Sequence, residues 1–474
     1  MIRATTPTRK DEIRKLVRLS VPVVAAQVGS MMMGLVDTAM LGRVSVEALA
    51  AASIANAWVF FTLYFGTGLL MGMDPLVSQA HGRGDARAAG IALQRGLVLS
   101  LALSAVTALL WTGTGTLMRA LRQSPELAVM ADAYVWVQIP SVPFFLAFVA
   151  VRQQLQGREI MRPAMWATVV ANVSNAWLNW VLIFGHWGFP ALGLEGAGIA
   201  TAVNRAVMLG LLGGLVWRLD LLKGAWVPWS REAVDRRGLL HLIRIGLPIA
   251  LQMGLELLAF SSATLLAGFL GARAVAAHQV TLNFAAFSFM MPLGISQAAA
   301  TRVGNLLGAG HPERAQRAAW VALAMGAGVM ACWGALFVVA RHRLPRVLTS
   351  EADVIALAAT VLPIAAAFQV FDGLQVVGCG VLRGTGRTRP VVWFNLLAYW
   401  VLGLPIGAWL ALRGGFGLAG IWWGLCIGLA VVAMSLLAWI RVRGPAHGPS
   451  AARGSVRRPD AAHSGGANST PAAR

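Results

Sequence analysis

The stretch VIALAATVLPIAAAFQVFDGLQVVGCGV, residues 354–381, decides what kind of protein this is. It is long enough to cross the roughly 30 Å hydrocarbon core of a bilayer as a helix. Its single charged side chain is Asp372. A carboxylate there is costly to bury unless it faces a partner or a wet cavity, so it is functional by default. The stretch therefore predicts a membrane-spanning helix that carries a functional acid.

Two more acids lie in apolar stretches of the same kind. Asp37 follows the run SMMMGLV of residues 30–36, and Glu256 lies within LQMGLELLAF of residues 251–260. A buried carboxylate that binds a proton, a metal ion or a cationic substrate, but not several together, has the chemistry of an antiporter. The sequence therefore predicts that the acids bind cations, Glu256 and Asp372 as one pair and Asp37 as a separate proton or substrate site.

The composition extends this interpretation to the whole chain. Of the 474 residues, 57% are hydrophobic and 12% are charged. Apolar runs of spanning length recur throughout, which predicts an all-α polytopic membrane protein with twelve transmembrane helices. The predicted spans start near Arg18, Ala48, Ala89, Glu126, Pro163, Gly196, Leu242, Val275, Ala315, Val354, Pro390 and Gly417. No cleavable signal peptide is expected.

The formal net charge of +20 follows from membrane topology better than from nucleic-acid binding. No basic patch interleaved with aromatic residues marks a soluble domain. With a cytoplasmic N-terminus, about 30 of the Lys and Arg residues fall on the cytoplasmic side, as the positive-inside rule requires. The prediction is a multi-pass membrane protein with both termini cytoplasmic.

The two halves of the chain resemble each other at an offset of about 226 residues. The matched pairs are Pro22 with Pro248, Gly82-Arg-Gly84 with Gly308-Ala-Gly310, Leu155-Gln-Gly157 with Leu382-Arg-Gly384, Arg162-Pro163 with Arg389-Pro390, and Ala197-Gly-Ile199 with Ala419-Gly-Ile421. An even number of spans per half makes the repeats parallel, a layout typical of secondary transporters. We expect six-helix bundles over 1–225 and 241–440, a cytoplasmic linker over 226–240 and a disordered tail over 441–474.

Polar side chains share helix faces with the acids or with one another. Gln252 lies four residues before Glu256, and Gln369 three residues before Asp372. The further polar candidates for the proton or substrate site are Asn175, Asn179, Thr201, Gln279 and Asn283. Such amides also serve as hydrogen-bonding contacts between membrane helices, and for the Asn residues that alternative stays open.

Catalytic and metal-site signatures are not found in the sequence. There is no HExxH, GxSxG or Walker motif, so we expect neither an enzyme nor a bound cofactor beyond a coupling ion. The three cysteines, Cys332, Cys379 and Cys426, lie in apolar runs without CxxC spacing and predict neither disulfides nor metal ligands.

The motifs together resemble those of the multidrug and toxic compound extrusion (MATE) family, specifically its bacterial NorM-type branch, over roughly residues 12 to 440. They are Val36-Asp-Thr-Ala-Met-Leu-Gly42, Pro75-Leu-Val-Ser-Gln79, Ala277-His-Gln-Val280, Phe371-Asp-Gly-Leu-Gln375 and Leu382-Arg-Gly384. The resemblance implies two six-helix bundles around a central cavity. It also implies export of cationic, amphipathic compounds across a bacterial inner membrane in exchange for inward Na⁺ or H⁺. We expect the protein to function as a monomer.

The same resemblance assigns the site residues. The family's C-lobe cation site maps onto Glu256 and Asp372, its N-lobe acid onto Asp37, and the N-lobe polar network of related branches onto Asn175, Asn179 and Thr201. Other branches have Asp where Asn179 stands, and NorM relatives often have Tyr where Phe368 stands. The choice between Na⁺ and H⁺ therefore stays open.

Two alternatives accompany this hypothesis. A flippase of lipid-linked intermediates shares the architecture but needs a basic cavity for a pyrophosphate, whereas the spans here carry three acids and essentially one base, Arg205. A membrane-embedded enzyme or a receptor is not supported by any catalytic constellation or sizeable soluble domain.

Overall fold

The structure, a computed structural model, describes residues 8–447, and its regular elements over that range are helical. The α-helices are α1 (Arg9–Leu41), α2 (Val46–Leu70), α3 (Met73–Arg83), α4 (Ala86–Thr112), α5 (Thr114–Ala120), α6 (Pro125–Trp136), α7 (Val142–Gly157), α8 (Arg162–Phe184), α9 (Gly193–Arg218), α10 (Arg236–Gly268), α11 (Ala272–Gly308), α12 (Pro312–Val339), α13 (Ala352–Thr385), α14 (Arg389–Asn395), α15 (Leu404–Leu412) and α16 (Gly417–Arg443). A π-helix (Leu396–Gly403) joins α14 to α15.

Twelve helical segments in the described range are long and apolar enough to cross a membrane, which confirms the predicted number. Three of them combine two helices each: α2 with α3, α6 with α7, and α14 with α15. The first and seventh begin earlier than predicted, at Arg9 and Arg236. Polar N-cap side chains explain this difference, because Thr8 and Asp235 accept hydrogen bonds from Asp11 N and Gly238 N. A hydropathy pattern does not register such polar helix starts.

The apolar interior divides into two clusters that follow the two halves of the chain. One is built mainly from residues between Leu41 and Ile183, and the other mainly from residues between Ala259 and Ile440. We call the corresponding six-span bundles the N lobe (α1–α9) and the C lobe (α10–α16). A few residues cross over: Leu16, Leu19 and Met161 pack into the C-lobe core.

The prediction of a disordered tail beginning at residue 441 is wrong for residues 441–447. The last helix continues to Arg443, and a 3₁₀ turn follows at Pro445–His447. The Arg387 guanidinium donates to the Arg443 carbonyl over 2.7 Å, and Ala446 N donates to Gln316 Oε1 over 3.4 Å. These partners satisfy groups at the helix end that would otherwise be unpaired. Residues 448–474 lie outside the described part.

The lobes meet closely on the side where α1 begins and α16 ends, which we call the basic side. A Cβ added at Gly308 would overlap the Gln79 carbonyl oxygen, and one at Gly82 would overlap that of Asn305. Gly82 corresponds to Gly308, and Gln79 to Asn305, in the two repeats. The two contacts are therefore equivalent. Helices α3 and α11 can approach this closely only because both positions are glycine.

A group of charged side chains also joins the lobes on the basic side. Arg302 of α11 donates two hydrogen bonds to the Glu12 carboxylate of α1, over 2.9 and 2.6 Å. Glu159, in the loop between α7 and α8, pairs with Lys15 at 2.9 Å and accepts a hydrogen bond from Asn305 at 3.0 Å. We call these five side chains the interlobe ion cluster. It connects two N-lobe elements to one C-lobe helix.

Candidate functional site

A cavity of about 500 Å³ lies in the N lobe, in the half of the spans away from the basic side. Its lining comes from α1, α2, α6, α7, α8 and α9, so the N lobe alone builds it. Asp37 and Thr201 both line it, together with Asn172 and Asn204. A cavity of this size holds a drug-sized molecule.

Asp37 is held by the buried amide of Asn179 on α8, which also contacts Asn175 of the same helix. Asn179 Nδ2 donates to Asp37 Oδ1 and to Asn175 Oδ1, the second over 3.1 Å. Asn175 and Asn179 are both fully buried, whereas Asp37 is partly exposed to the cavity. The predicted asparagine stripe therefore positions the carboxylate and leaves its outer face toward the cavity.

Aromatic and thioether side chains form the apolar part of the cavity wall. Phe60 and Tyr64 of α2 are stacked with ring centroids 4.9 Å apart. Met33 lies against Asn204 on another wall, and Tyr134 donates to Asn56 Oδ1 over 3.1 Å. Stacked rings attract organic cations by their π faces, and Met adapts to ligands of varied shape. The wall thus combines one acid with polarisable apolar surface.

A guanidinium also reaches the cavity, from α9. Arg205 is buried, donates to Ser141 Oγ over 2.9 Å, and lies 5.9 and 5.7 Å from the ring centres of Trp111 and Phe145. Within residues 8–447 it forms no ion pair with Asp37 at 4.0 Å or less. The cavity therefore contains one carboxylate and one guanidinium that are separate from each other.

The other two acids belong to the C lobe. Glu256 Oε2 accepts a hydrogen bond from Gln252 Nε2 over 3.0 Å, as the four-residue spacing predicts. Asp372 is buried on α13. One turn beyond each acid, Phe260 of α10 and Phe368 of α13 are in edge contact with ring centroids 6.1 Å apart. This contact places the two predicted acids on adjacent, antiparallel helices of the C lobe, apart from the N-lobe cavity.

Neutral oxygen atoms without a partner flank Asp372 along α13. The Oε1 atoms of Gln369 and Gln375, three residues before and after Asp372, are both buried without a hydrogen-bond partner. Gln369 uses its amide to donate to Ser288 Oγ over 2.8 Å. No group of three or more His, Cys, Asp or Glu side chains suited to a metal occurs in the described residues. Carboxylate and amide oxygens are nonetheless ligands that a hard cation accepts.

Tyr399 is a neighbour of the pair that the sequence analysis missed. It lies in the π-helix Leu396–Gly403, is fully buried, and has an unpartnered hydroxyl. Its ring lies 6.3 Å from that of Phe260, whose other neighbour is Phe368. The scarcity of tyrosine was an available signal, because the chain has only three. The other two, Tyr64 and Tyr134, line the N-lobe cavity.

Gln279 and Asn283 have a different position from the other predicted residues. Both are exposed on α11, and Asn283 Nδ2 donates back to the Gln279 carbonyl of its own helix over 2.9 Å. Neither lines the N-lobe cavity. The structure therefore does not bring them to either group of acids.

Comparisons with known proteins agree with this architecture. The MatE family model matches residues 22–181 and 248–409, so each half is matched once, from Pro22 and from Pro248. The chain is 37% identical over 450 residues to a "Probable multidrug resistance protein NorM" of Mesorhizobium japonicum, covering 91% of this chain and 94% of the relative. It is 34% identical over 435 residues to the "Multidrug resistance protein MdtK" of Edwardsiella ictaluri, covering 91% and 95%.

Solved structures share the fold. The eukaryotic MATE transporter AtDTX14 superposes with a TM-score of 0.85 at 24% identity, covering 94% of this chain and 99% of that one. A MATE family transporter of the MOP superfamily in an outward-facing conformation superposes with a TM-score of 0.84 at 20% identity, covering 92% and 96%. The matched halves, the curated relatives and the shared fold lead to one conclusion: this chain belongs to the multidrug and toxic compound extrusion (MatE) family, in its NorM-type bacterial branch.

Proposed function

We propose that this protein is a secondary antiporter that exports cationic, amphipathic compounds in exchange for inward Na⁺ or H⁺. The observation that carries the proposal is the separation of the acids into two unlike places. Asp37 faces a drug-sized cavity in the N lobe, whereas Glu256 and Asp372 lie among buried oxygens in the C lobe. The relatives named multidrug resistance proteins support export of several compounds.

The N-lobe cavity supports the substrate part of the proposal. A planar organic cation would place its charge near Asp37 and its rings against Phe60 and Tyr64, where both electrostatic and π-face attraction favour it. Met33 and Met208 on the lining accommodate differences in ligand shape. Such a surface favours a range of related cations over one specific molecule.

The C-lobe pair supports the ion part. Asp372 is buried and Glu256 is half-buried, on adjacent helices, and charging both carboxylates without a positive partner would be costly. A Na⁺ ion or a proton would supply that charge, with Glu256 and Asp372 as ligands and Gln375 or Tyr399 as additional oxygen donors. The Tyr399 hydroxyl would replace the one that Phe368 lacks and would supply an oxygen to this site.

We further propose that the basic side is cytoplasmic and that the protein functions as a monomer in the bacterial inner membrane. The excess of Lys and Arg on that side follows the positive-inside rule. In the structure this side is closed by the glycine contacts of α3 with α11 and by the interlobe ion cluster. Loading of a substrate from the cytoplasm then requires these contacts to separate.

A proteoliposome experiment tests the proposal and identifies the ion. Vesicles containing the protein and ethidium are given either a Na⁺ gradient or a pH gradient, each without the other. Ethidium movement driven by one gradient is the expected result, and that gradient names the coupling ion. Movement with neither gradient but with added ATP would overturn the antiporter assignment.

A flippase of lipid-linked intermediates is the alternative with the same architecture. Binding of a pyrophosphate requires several basic groups in the cavity, but the N-lobe cavity has one guanidinium, Arg205, and one carboxylate, Asp37. We therefore favour drug export.

A further inference from the structure

A second pocket, of about 430 Å³, lies on the basic side of the C lobe. It is formed by the start of α10, the loop that joins α13 to α14, and the end of α16. Three arginines line it, Arg244, Arg387 and Arg389, together with His241 and Trp439. No acidic side chain is among the residues that line it.

The three guanidiniums are not neutralised by the protein. Among residues 8–447, none of them has a carboxylate within 4.0 Å. Arg387 donates to the Arg443 main-chain carbonyl, which leaves its charge uncompensated. Thr388 holds the loop in place by donating to the Ile245 carbonyl over 2.8 Å. Three like charges around one concave surface produce a positive potential that attracts an anion, and guanidinium groups suit phosphate oxygens especially well.

An apolar groove of about 340 Å³ begins beside this pocket. Ser435, Ala438, Trp439 and Val442 of α16 line it at helical spacing, and Phe394 of α14 faces them. Arg443 lines its end on the basic side. Trp439 lines both the pocket and the groove, and its indole N–H has no hydrogen-bond partner. A tryptophan between a polar and an apolar region is typical of the membrane interface.

The positions along the spans place the pocket at headgroup depth and the groove deeper. The loop arginines lie between spans, at the basic-side ends of α13 and α14. Phe394 and Ser435 lie about one to two turns farther into their helices. The large apolar side chains next to the groove, Trp393 and Met434, are 63% and 59% exposed, as expected of a surface that faces lipid. The groove therefore runs from the charged pocket toward the hydrocarbon.

We propose that this pocket and groove bind one anionic phospholipid, with its phosphate among Arg244, Arg387 and Arg389 and an acyl chain along α16 beside Trp439. Basic pockets between transmembrane helices on the cytoplasmic side are suited to anionic headgroups. The site is separate from the N-lobe cavity and from the Glu256–Asp372 pair, so it does not depend on the proposed transport function. The lipid would connect α10, α14 and α16 at the boundary of the C lobe.

Native mass spectrometry of the purified full chain tests this. The protein is titrated with phosphatidylglycerol and, separately, with phosphatidylcholine of the same acyl chains. We expect tight binding of one phosphatidylglycerol and much weaker binding of phosphatidylcholine. The variant Arg244→Gln/Arg387→Gln/Arg389→Gln should weaken phosphatidylglycerol binding on the order of a hundredfold, because each basic side chain near an anionic lipid contributes roughly a fivefold gain.

The matched control removes three arginines from the same side of the protein. Arg231, Arg236 and Arg237 are exposed and lie outside the pocket, so their change to Gln should leave phosphatidylglycerol binding nearly unchanged. If the triple pocket variant does not fold, Arg244→Gln/Arg389→Gln keeps the Arg387 hydrogen bond and should still weaken binding. An equal loss in pocket and control variants would show diffuse charge attraction and overturn the proposal, as would unchanged binding in the pocket variants.

Two further arms distinguish a lipid from a free anion. Inorganic phosphate at the same concentrations should not displace the lipid, and Ala438→Trp, which fills the groove, should weaken phosphatidylglycerol binding. If inorganic phosphate binds as tightly as the lipid, or if Ala438→Trp has no effect, the pocket is a site for free anions and the lipid assignment is wrong.

Discussion

At the scale of single residues, the acids differ in what surrounds them. Asp37 has one face on Asn179 and one on the cavity, whereas Glu256 and Asp372 lie on adjacent helices that also carry buried glutamines. The Asp37 carboxylate can exchange one bound cation for another from the cavity. A charged carboxylate at the C-lobe pair needs a positive partner bound beside it, because an unpaired buried charge is costly. The same residue type therefore supports two roles.

Removing either C-lobe acid should stop transport without preventing folding. Glu256→Gln and Asp372→Asn keep the side-chain shape but remove the negative charge that would bind the proposed coupling cation. We expect ethidium export by either variant to fall at least about a hundredfold, with normal amounts of protein in the membrane. Everted-vesicle assays and immunoblots measure both quantities.

Asp353→Asn is the matched control. Asp353 is an exposed acid on the same helix as Asp372, in a surface ion pair with Arg273 at 3.0 Å, and such pairs contribute little. Ethidium export by the Asp353→Asn variant should equal that of the wild type. Wild-type export by either Glu256→Gln or Asp372→Asn would show that the coupling site is elsewhere.

At the scale of elements, the π-helix Leu396–Gly403 is the clearest irregularity in the membrane. Eight residues of π-helix are unusual, since such segments are mostly single turns and frequently occur at functional sites. The segment turns Tyr399 toward the C-lobe core, and Gly403 and Gly407 let it approach Gly424 and Gly428 of α16. Small residues on both helices therefore permit the altered backbone.

Tyr399→Phe tests whether this element contributes to ion binding. The change removes one oxygen and leaves the ring packing against Phe260, so we expect an unchanged fold. The ion concentration for half-maximal transport should rise about tenfold, since one buried hydrogen bond or ligand is worth about 1.5 kcal/mol. Tyr134→Phe removes an N-lobe hydroxyl and should leave that ion concentration unchanged. An equal shift in both variants would contradict a specific role for Tyr399.

At the scale of the whole molecule, the interlobe ion cluster should make the fold less stable as the pH falls. Burial acts to raise the pKa of Glu159, but the hydrogen bond and charge of Lys15, with Asn305 and Arg302, hold that pKa below its ordinary value of 4.5. A carboxyl with a lowered pKa stabilises the fold above the ordinary value, and this contribution is lost as pH falls through the folded pKa.

Glu159→Gln should therefore lower the apparent Tm at neutral pH, and the difference from wild type should shrink as the pH falls below about 4.5. Thermal-shift measurements across this range check the sign. Glu313→Gln, in an exposed pair with Arg317, is the control and should have little effect at any pH. A Tm difference between wild type and Glu159→Gln that grew as the pH fell would contradict a charged, stabilising Glu159 carboxylate.

The glycine contacts on the basic side give a second test at this scale. Leucine at Gly308 cannot fit against the Gln79 carbonyl, so Gly308→Leu should hold α3 and α11 apart, abolish transport and open the basic side. A Thr301→Cys reporter in a Cys332→Ala background should then react several-fold faster with a maleimide, because Thr301 is buried at this interface.

Gly328→Leu is the control, since Gly328 of α12 is exposed and a Cβ added there meets no atom of a neighbouring element within 4 Å. It should neither reduce transport nor speed the labelling. Normal transport by Gly308→Leu would show that transport does not require the close contact of α3 with α11 at Gly308.

The site could be predicted only in part from the sequence. Periodicity placed Gln252 beside Glu256 and Asn175 beside Asn179, because contacts within one helix follow from spacing. Gln279 and Asn283 satisfy the same spacing, yet they are exposed on α11. Helical spacing indicates which residues share a helix face, but not which part of the protein or membrane that face packs against.

The sequence by itself determined the twelve spans and the duplicated halves, because a bilayer requires each span to satisfy its own backbone hydrogen bonds as a helix. It also located the three acids within those spans. Only the tertiary structure decided which distant side chains meet. Asp37 and Asn179 are 142 residues apart in the chain, and Glu12 and Arg302 are 290 apart. Helix packing creates such contacts, and with them the cavity, the Tyr399 position and the closed basic side.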